Sequence, residues 1–248
     1  MTITANDTLA LGPKAADAFA RLNTVWNQGD HVLISGGTGS GKTMLARHLY
    51  DLRVKRGGHV VVFVMKLRPD TTILKDYSPA KGWVRWKKWK RHPAPHETRI
   101  LLWPDTEKLN HRDALKLQKK VFGDAMDHLT INGRWTVGID EGLYMAHPEF
   151  MGMAHDMAMG HQMGRSGKLT FVTLTQRPAH IPLVIYSSAS HAFVGRAREA
   201  TDVKRLAELG GRENARSLAA RIESQGRHDF LWIPAAVDWE PESINLRN

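Results

Sequence analysis

Short apolar runs alternate along the chain with stretches of helical periodicity. Several of the runs are continuously apolar, which is typical of strands that are buried on both faces. Because such runs follow one another with helical stretches between them, they predict an α/β fold with a mostly parallel central sheet flanked by helices. The predicted strands occupy residues 32–34, 60–65, 100–103, 135–139, 169–174, 192–194 and 230–233.

The helical patterns lie between these runs. Residues 42–56 carry leucines on one face, and Gly57 follows in the position of a C-cap. Pro148 suits the first turn of a later helix that runs to Gly164. Further helices are predicted over about residues 107–129, 202–209 and 213–222. We expect an N-terminal helical arm at 1–29, a main domain at 30–233 and a polar, irregular C-terminal tail at 234–248.

The composition limits the class of protein. The chain has 248 residues, enough for one large domain, and its 42% hydrophobic and 24% charged content is ordinary for a soluble globular protein. No apolar run reaches the length of a membrane span, and the first residues lack the pattern of a signal peptide. The absence of cysteine excludes disulfides and thiolate metal sites. We expect a cytoplasmic protein.

The net charge of +10 is concentrated in one basic segment, residues 77–96. This segment contains no acidic residue, and its lysines and arginines supply more than half of the excess charge. They are Lys81, Arg85, Lys87, Lys88, Lys90 and Arg91. Such a patch indicates a polyanionic partner such as nucleic acid, whereas an even distribution would indicate only a soluble basic surface.

Trp83, Trp86 and Trp89 recur at every third residue of the basic segment, a spacing that would form a slanted stripe on a helix. Two interpretations are open. In one, the segment grips DNA, with basic side chains on phosphates and indoles that stack or wedge. In the other, the tryptophans of an amphipathic cover helix or strand pack on the core and the basic side chains are merely solvated.

A glycine-rich loop follows the first predicted strand and leads into the first predicted helix. It matches G-x-x-x-x-G-K-[ST] at every fixed position, and its backbone N–H groups and the helix dipole are suited to phosphate. We expect Lys42 to reach the β- and γ-phosphates of a nucleotide and the Thr43 hydroxyl to bind Mg²⁺. The predicted nucleotide-binding residues of this phosphate loop are Gly36, Gly37, Thr38, Gly39, Ser40, Gly41, Lys42 and Thr43.

Two acids follow the predicted strand at 135–139. Asp140 is placed to hold the hydration shell of Mg²⁺, and Glu141 is placed to act as the base that polarises an attacking water. Transfer of phosphate to a small metabolite would not need this second acid. The pair therefore favours an ATPase over a small-molecule kinase.

Polar residues also end the next predicted strand, before Pro178. A side chain at this position can touch the γ-phosphate or the attacking water, and Gln176 is the first choice and Thr175 the second. The alternative, equally open from chemistry alone, is that these residues only terminate the strand.

With these motifs the chain resembles the FtsK/HerA superfamily of DNA-pumping ATPases. The likeness rests on GGTGSGKT at 36–43, GIDE at 138–141 and, most tellingly, GRSGKLTFVTLTQRP at 164–178. It extends over about residues 30–233. The chain departs from its relatives after the second strand, where it has Lys66 and Arg68 in place of an acidic residue followed by lysine.

The resemblance implies an additional-strand, RecA/FtsK-like core, a homo-hexameric ring and ATP- and Mg²⁺-dependent movement of double-stranded DNA. It assigns nucleotide binding to Lys42 and Thr43, metal binding to Asp140, water activation to Glu141 and a sensor role to Gln176. Such a motor is most similar to viral and phage genome-packaging ATPases. We therefore expect a capsid or portal-vertex protein as partner, and a location in the host cytoplasm or with the virion.

Ring motors usually complete each active site with an arginine from the neighbouring subunit. Arg165 is the leading candidate for this catalytic role, with Arg196 and Arg198 close behind, and each is otherwise a surface arginine. Two other functions remain open. One is a DNA repair or conjugation translocase, and the other is an ATP-dependent assembly or secretion protein that does not bind DNA.

Overall fold

The computed structural model describes residues 13–68, 70–235 and 240–247. Within these residues the chain forms a nine-stranded sheet. The strands are β1 (His31–Ser35), β2 (His59–Phe63), β3 (Trp83–Trp86), β4 (Arg99–Leu102), β5 (Trp135–Ile139), β6 (Thr170–Thr175), β7 (Ala189–Val194), β8 (Asp229–Pro234) and β9 (Glu242–Asn245). The helices are α1 (Pro13–Val25), α2 (Lys42–Lys55), α3 (Thr71–Asp76), α4 (His111–Asn132), α5 (Gly142–Ala146), α6 (Ala154–Gly164), α7 (Leu183–Ser187), α8 (Ala200–Ala207) and α9 (Gly211–Ser224).

The strand order is β3-β4-β2-β5-β6-β1-β7-β8-β9. The strands from β3 to β7 in this order are parallel, and β8 runs antiparallel to both β7 and β9. β6 lies between β1, which leads into the phosphate loop, and β5, which leads to the two acids. This inserted strand defines an additional-strand ATPase core, so the predicted α/β class and mostly parallel sheet are confirmed.

Both faces of the sheet are covered by helices. Because successive residues of a strand point to opposite faces, each strand contributes side chains to two cores. In β2, Val61 and Phe63 belong to one core, where Phe63 stacks on Phe122 of α4 with ring centroids 4.9 Å apart. Val60 and Val62 belong to the other core, which α1 and α2 cover. Burial of each such side chain contributes about 1.5–3 kcal/mol, and burial on both faces explains why the strands are continuously apolar.

The first and last described elements join these same layers. α1 buries Phe19 and Leu22 against the core under α2, and β9 extends the sheet with Ile244 buried. The sequence did not predict β9, since one buried isoleucine among polar residues gives no periodic signal. The boundaries of the arm and the tail stay predictions, and residues 1–12, 236–239 and 248 of these segments lie outside the described residues. No described helix is long and apolar enough to cross a membrane.

The predicted helix from Pro148 is wrong at its start. The chain forms the short α5, turns through Pro148 and begins α6 only at Ala154. The turn closes at Gly152, whose N–H donates to the His147 carbonyl at 2.9 Å. Gly152 has φ +61, a conformation that favours glycine. A glycine in the left-handed region ends helical continuity at this point.

The tryptophan stripe is not helical. Trp83 and Trp86 lie in β3 and are buried on opposite faces of the sheet, in the two different cores. Trp86 Nε1 donates to Glu97 Oε1 at 2.9 Å, and Trp89 packs edge-to-face on Trp135 with ring centroids 5.6 Å apart. Trp83 and Trp86 are therefore packed within the protein and cannot stack on DNA, while Trp89 is half-buried.

The basic side chains of this segment are divided between paired and unpaired groups. Lys87 Nζ lies 2.7 Å from Asp105 Oδ2, and Lys90 Nζ lies 3.6 Å from Glu97 Oε1. Lys88 and Arg91 are exposed, and neither forms an ion pair with a described residue. The charge available to a polyanion is therefore carried by fewer groups than the composition suggests.

Candidate nucleotide-binding site

The phosphate loop connects β1 to α2 at the edge of the sheet where the parallel strands end. The Gly36 N–H donates to the Thr175 carbonyl of β6 at 3.2 Å, which holds the start of the loop against the neighbouring strand. Gly41 is the N-cap of α2 with φ +103, a conformation that is strained for any residue with a side chain. The loop therefore delivers the unpaired N–H groups of the first helical turn to one place, which is suited to bind an anion.

Lys42 is folded back over the phosphate loop. Its Nζ donates to the carbonyls of Gly36 at 2.7 Å and of Gly37 at 3.0 Å, and the side chain is 9% exposed. Burial lowers the pKa of Lys42, while the nearby carboxylates of Glu141 and Asp140 act in the opposite direction. The ammonium group thus lies between the loop and the two acids.

β5 brings Asp140 and Glu141 to this edge of the sheet, and Gly138 makes the approach possible. A Cβ at Gly138 would lie 2.2 Å from the Tyr50 hydroxyl oxygen, so a side chain there would push α2 off the sheet. Burial raises the pKa of Asp140, and the charges of Lys66 and Lys42 partly oppose the shift. Lys66 follows β2, the strand beside β5, and it adds positive charge on the side of the site away from the phosphate loop.

Gln176 joins the phosphate loop to Glu141. The Thr38 hydroxyl donates to Gln176 Oε1 at 2.8 Å, and Gln176 Nε2 donates to Glu141 Oε2 at 3.2 Å. Burial raises the pKa of Glu141, and Lys42 and the hydrogen bonds from Gln176 oppose the rise. Glu141 Oε1 is buried and has no hydrogen-bond partner among the described residues. The carboxylate thus has one oxygen oriented by Gln176 and a second that can accept a proton.

The residues predicted to bind Mg²⁺ are chemically suited to it. The Thr43 hydroxyl and the Asp140 carboxylate are hard oxygen donors, which this ion prefers. The raised pKa of Asp140 reflects the cost of its charge in a buried position, and a divalent cation beside the carboxylate would offset that cost. Both residues therefore fit a magnesium ion.

A cleft of about 540 Å³ opens beside the phosphate loop. It is lined by the loop and Gln176, by two acids, Glu199 and Asp202, and by four arginines: Arg177, Arg196, Arg198 and Arg227. Arg177 Nε lies 3.0 Å from Asp202 Oδ2 and is neutralised there. The sequence analysis considered Arg196 and Arg198 only for action on a neighbouring subunit, and it missed Arg227, which is far from the motifs along the chain.

Arg165 is not brought to this site within one chain. It follows α6, and its guanidinium lies 4.0 Å from the carboxylate of Asp30, the residue before β1. β1 runs from that end to the phosphate loop, so Arg165 lies at the opposite edge of the sheet from Lys42. Its side chain is 67% exposed.

Comparison by sequence gives a partial match. The model of the sigma-54 interaction domain family matches residues 10–75, which include the phosphate loop and the elements on either side of it. The comparison with curated proteins gave no match.

Comparison by structure gives likeness over most of the chain. The genome packaging NTPase B204 from Sulfolobus turreted icosahedral virus 2, in complex with ATP-gammaS, has a TM-score of 0.60 at 14% identity, covering 90% of this chain and 100% of that chain. The conjugation coupling protein TcpA of pCW3 has a TM-score of 0.53 at 16% identity, covering 92% and 62%. VirB4 of Thermoanaerobacter pseudethanolicus has a TM-score of 0.64 at 9% identity, covering 88% and 89%.

These likenesses agree with the strand order and with the position of β6 between the two motif strands. The chain therefore has the P-loop fold that these proteins share, as its resemblance to the FtsK/HerA superfamily implies.

Proposed function

We propose that this protein is an ATP-hydrolysing motor that moves DNA, and that its task is to package viral double-stranded DNA into a capsid. The observation that carries the hydrolytic part is the chain of hydrogen bonds from Thr38 through Gln176 to Glu141. It places a carboxylate with a free, buried oxygen next to the loop that is built for phosphate. A water held there is activated by Glu141 and oriented towards the γ-phosphate.

Each residue has a separate part in the proposed reaction. Residues 36–43 bind the phosphate chain through their backbone N–H groups, and Lys42 leaves the loop carbonyls to neutralise charge on the β- and γ-phosphates. Glu141 accepts the proton of the attacking water, and Gln176 orients Glu141 and senses the γ-phosphate. Thr43 and Asp140 would hold Mg²⁺, which supplies charge neutralisation on the phosphate oxygens.

The packaging role is supported by the likeness to the genome packaging NTPase B204, which extends over the whole of that chain. The net charge of +10 and the unpaired Lys88 and Arg91 suit a polyanionic partner. We propose a homo-hexameric ring that acts in the host cytoplasm and engages double-stranded DNA and a capsid or portal-vertex protein. The other candidates are a conjugation or repair translocase, which the likeness to TcpA supports, and an assembly or secretion ATPase that does not bind DNA.

We retain Arg165 as the arginine that completes the site of a neighbouring subunit, because its exposed side chain lies far from the site of its own chain. Arg165→Ala protein should bind ATP and hydrolyse it poorly. Mixing it with Lys42→Ala protein should restore activity at interfaces that pair an intact loop with an intact arginine. Rings that exchange subunits without any recovery would exclude Arg165 from this role.

Translocation is tested by displacement of a triplex-forming oligonucleotide from linear duplex DNA. We expect displacement that requires ATP and does not occur with ATP-gammaS or with Glu141→Gln protein. ATP hydrolysis without displacement, on DNA that the protein binds, would contradict a translocating motor. Hydrolysis by a protein that does not bind DNA would favour the assembly or secretion function.

A further inference from the structure

Arg227 lies beside the phosphate loop, although it is distant from it in sequence. It belongs to the turn between α9 and β8. β8 runs antiparallel to β7, so its first residue lies at the edge where the parallel strands end. A Cβ at Gly39 would lie 3.3 Å from Arg227 Nη2. The guanidinium therefore lies beside the tip of the loop, where a side chain at residue 39 would meet it.

The turn that carries Arg227 is fastened to the phosphate loop by its neighbour His228. His228 Nδ1 lies 3.2 Å from the Ser40 carbonyl oxygen and donates to it, because a carbonyl can only accept. The His228 carbonyl accepts the N–H of Leu246 at 3.2 Å, which ties the turn to the segment after β9. Leu246 in turn packs beside Gly41, where a Cβ would lie 3.1 Å from its Cδ1. The backbone next to Arg227 is thus held between the phosphate loop and the segment after β9.

Arg227 is free to bind an anion. Its side chain is exposed into the arginine-lined cleft, and it forms no ion pair within the part of the chain that the structure describes. Arg196 and Arg198 line the same cleft, together with the carboxylates of Glu199 and Asp202, of which Asp202 is paired with Arg177. The arginines of the cleft outnumber its acids, so an anion there would reduce the repulsion between the guanidinium groups. The anion that a phosphate loop binds is the phosphate chain of a nucleotide. A guanidinium can form two parallel hydrogen bonds with phosphate oxygens.

We propose that Arg227 binds the phosphate chain of the nucleotide held by the phosphate loop of its own subunit, and that it sets nucleotide affinity. This inference rests on the proposed binding of ATP and adds an arginine that the motifs do not contain. Arg227 lies beside the loop at Gly39 and forms no hydrogen bond with Glu141 or Gln176. Its removal should therefore change the KM for ATP much more than kcat.

The test is equilibrium binding of a fluorescent ATP analogue with Mg²⁺ to wild-type, Arg227→Ala, Arg227→Lys and Arg216→Ala proteins. Arg216 is an exposed arginine of α9, so its replacement removes the same charge away from the cleft. We expect the Kd to rise about tenfold in Arg227→Ala, as loss of a charged hydrogen bond to phosphate implies. Arg227→Lys should recover part of the affinity, and Arg216→Ala should match the wild type.

Wild-type affinity in Arg227→Ala, in a preparation whose wild-type form binds the nucleotide, would overturn the inference and leave the proposed function intact. Loss of turnover or of duplex DNA affinity with unchanged nucleotide Kd would overturn it as well, since Arg227 would then act elsewhere. A wild-type protein without any nucleotide affinity would contradict the proposed function itself. Melting curves without nucleotide check that Arg227→Ala is folded.

Discussion

The side-chain amide of Gln176 donates a hydrogen bond to Glu141 Oε2 at 3.2 Å. Because the same amide accepts the Thr38 hydroxyl at 2.8 Å, the orientation of the proposed base depends on the conformation of the phosphate loop. A γ-phosphate that binds to the loop and changes its conformation should therefore also change the position of the Glu141 carboxylate. The relationship makes Gln176 a positioning residue between nucleotide and base, and it leads to the first two predictions.

Glu141→Gln should bind ATP with Mg²⁺ as tightly as the wild type and lose at least about 10²-fold in kcat, since the amide cannot accept the proton of the attacking water. Binding and turnover are measured on the same preparation. Glu149→Gln, at an exposed position after α5, is the matched control and should be unaffected. A Glu141→Gln protein with nearly normal turnover would reduce Glu141 to a loop acid.

Gln176→Ala should shift the acid limb of the kcat profile to higher pH and lower kcat about tenfold. Burial raises the pKa of Glu141, and the hydrogen bonds from Gln176 hold it down. The substitution removes the side-chain hydrogen bond and keeps the backbone one, so the pKa of Glu141 rises further and the base is protonated at a higher pH. Gln162→Ala, on the exposed side of α6, is the control. An unshifted pH profile would mean that Gln176 does not act through Glu141.

Lys88 and Arg91 carry the prediction for DNA, because Lys87 and Lys90 are already paired with Asp105 and Glu97. Replacing both Lys88 and Arg91 by glutamate should weaken duplex binding and flatten the plot of log affinity against log salt by about 0.9 per lost phosphate contact. The control is the same charge change at Arg112 and Lys119 of α4, which are exposed and form no ion pair with a described residue. Equal effects in both pairs would show that net charge alone, and no specific contact, is responsible.

The sequence predicted the sheet well, and it predicted which of the proposed site residues lie together, where the pattern has strong local causes. The phosphate loop, β5 and β6 are each a single uninterrupted segment of sequence. Gly138, Asp140 and Gln176 each lie within such a strand or directly after it, so the local pattern is enough to place them. It failed where distant segments meet. Arg227 and the β9 segment reach the loop through the antiparallel β8, and no periodicity announces that contact. The spacing of Trp83 and Trp86 also suggested a stripe on a helix, whereas both lie in β3. A spacing of i, i+3 fits one face of a helix as well as a strand that is buried on both faces.

Two buried histidines predict a loss of stability in acid. His31 Nδ1 accepts the Phe171 N–H at 3.1 Å, His31 Nε2 donates to the His161 carbonyl at 2.9 Å, and His161 Nδ1 donates to the Met157 carbonyl at 2.8 Å. Both rings are therefore built into the core as neutral groups. Burial lowers the pKa of His161 to about 3 from an ordinary 6.5.

Since the folded pKa of His161 is the lower one, the unfolded chain binds more protons as pH falls from 6.5 towards 3, and the free energy of unfolding falls with it. At pH 5 this histidine should cost about 2 kcal/mol relative to pH 7. Urea unfolding at the two pH values measures it. His161→Phe should lose that share of the pH dependence, whereas His155→Phe, at an exposed position of α6, should keep it. Identical pH dependence in His161→Phe and wild type would contradict the assignment.

The most direct test of a DNA-moving ATPase is the steady-state rate of phosphate release from ATP by the wild-type protein, measured with and without duplex DNA at low salt beside a Lys42→Ala control. The account predicts that duplex DNA raises the rate several-fold, and that Lys42→Ala has neither the basal nor the stimulated rate, because no other described side chain is folded over the phosphate loop as Lys42 is. A rate that DNA leaves unchanged, or that Lys42→Ala retains, would contradict it.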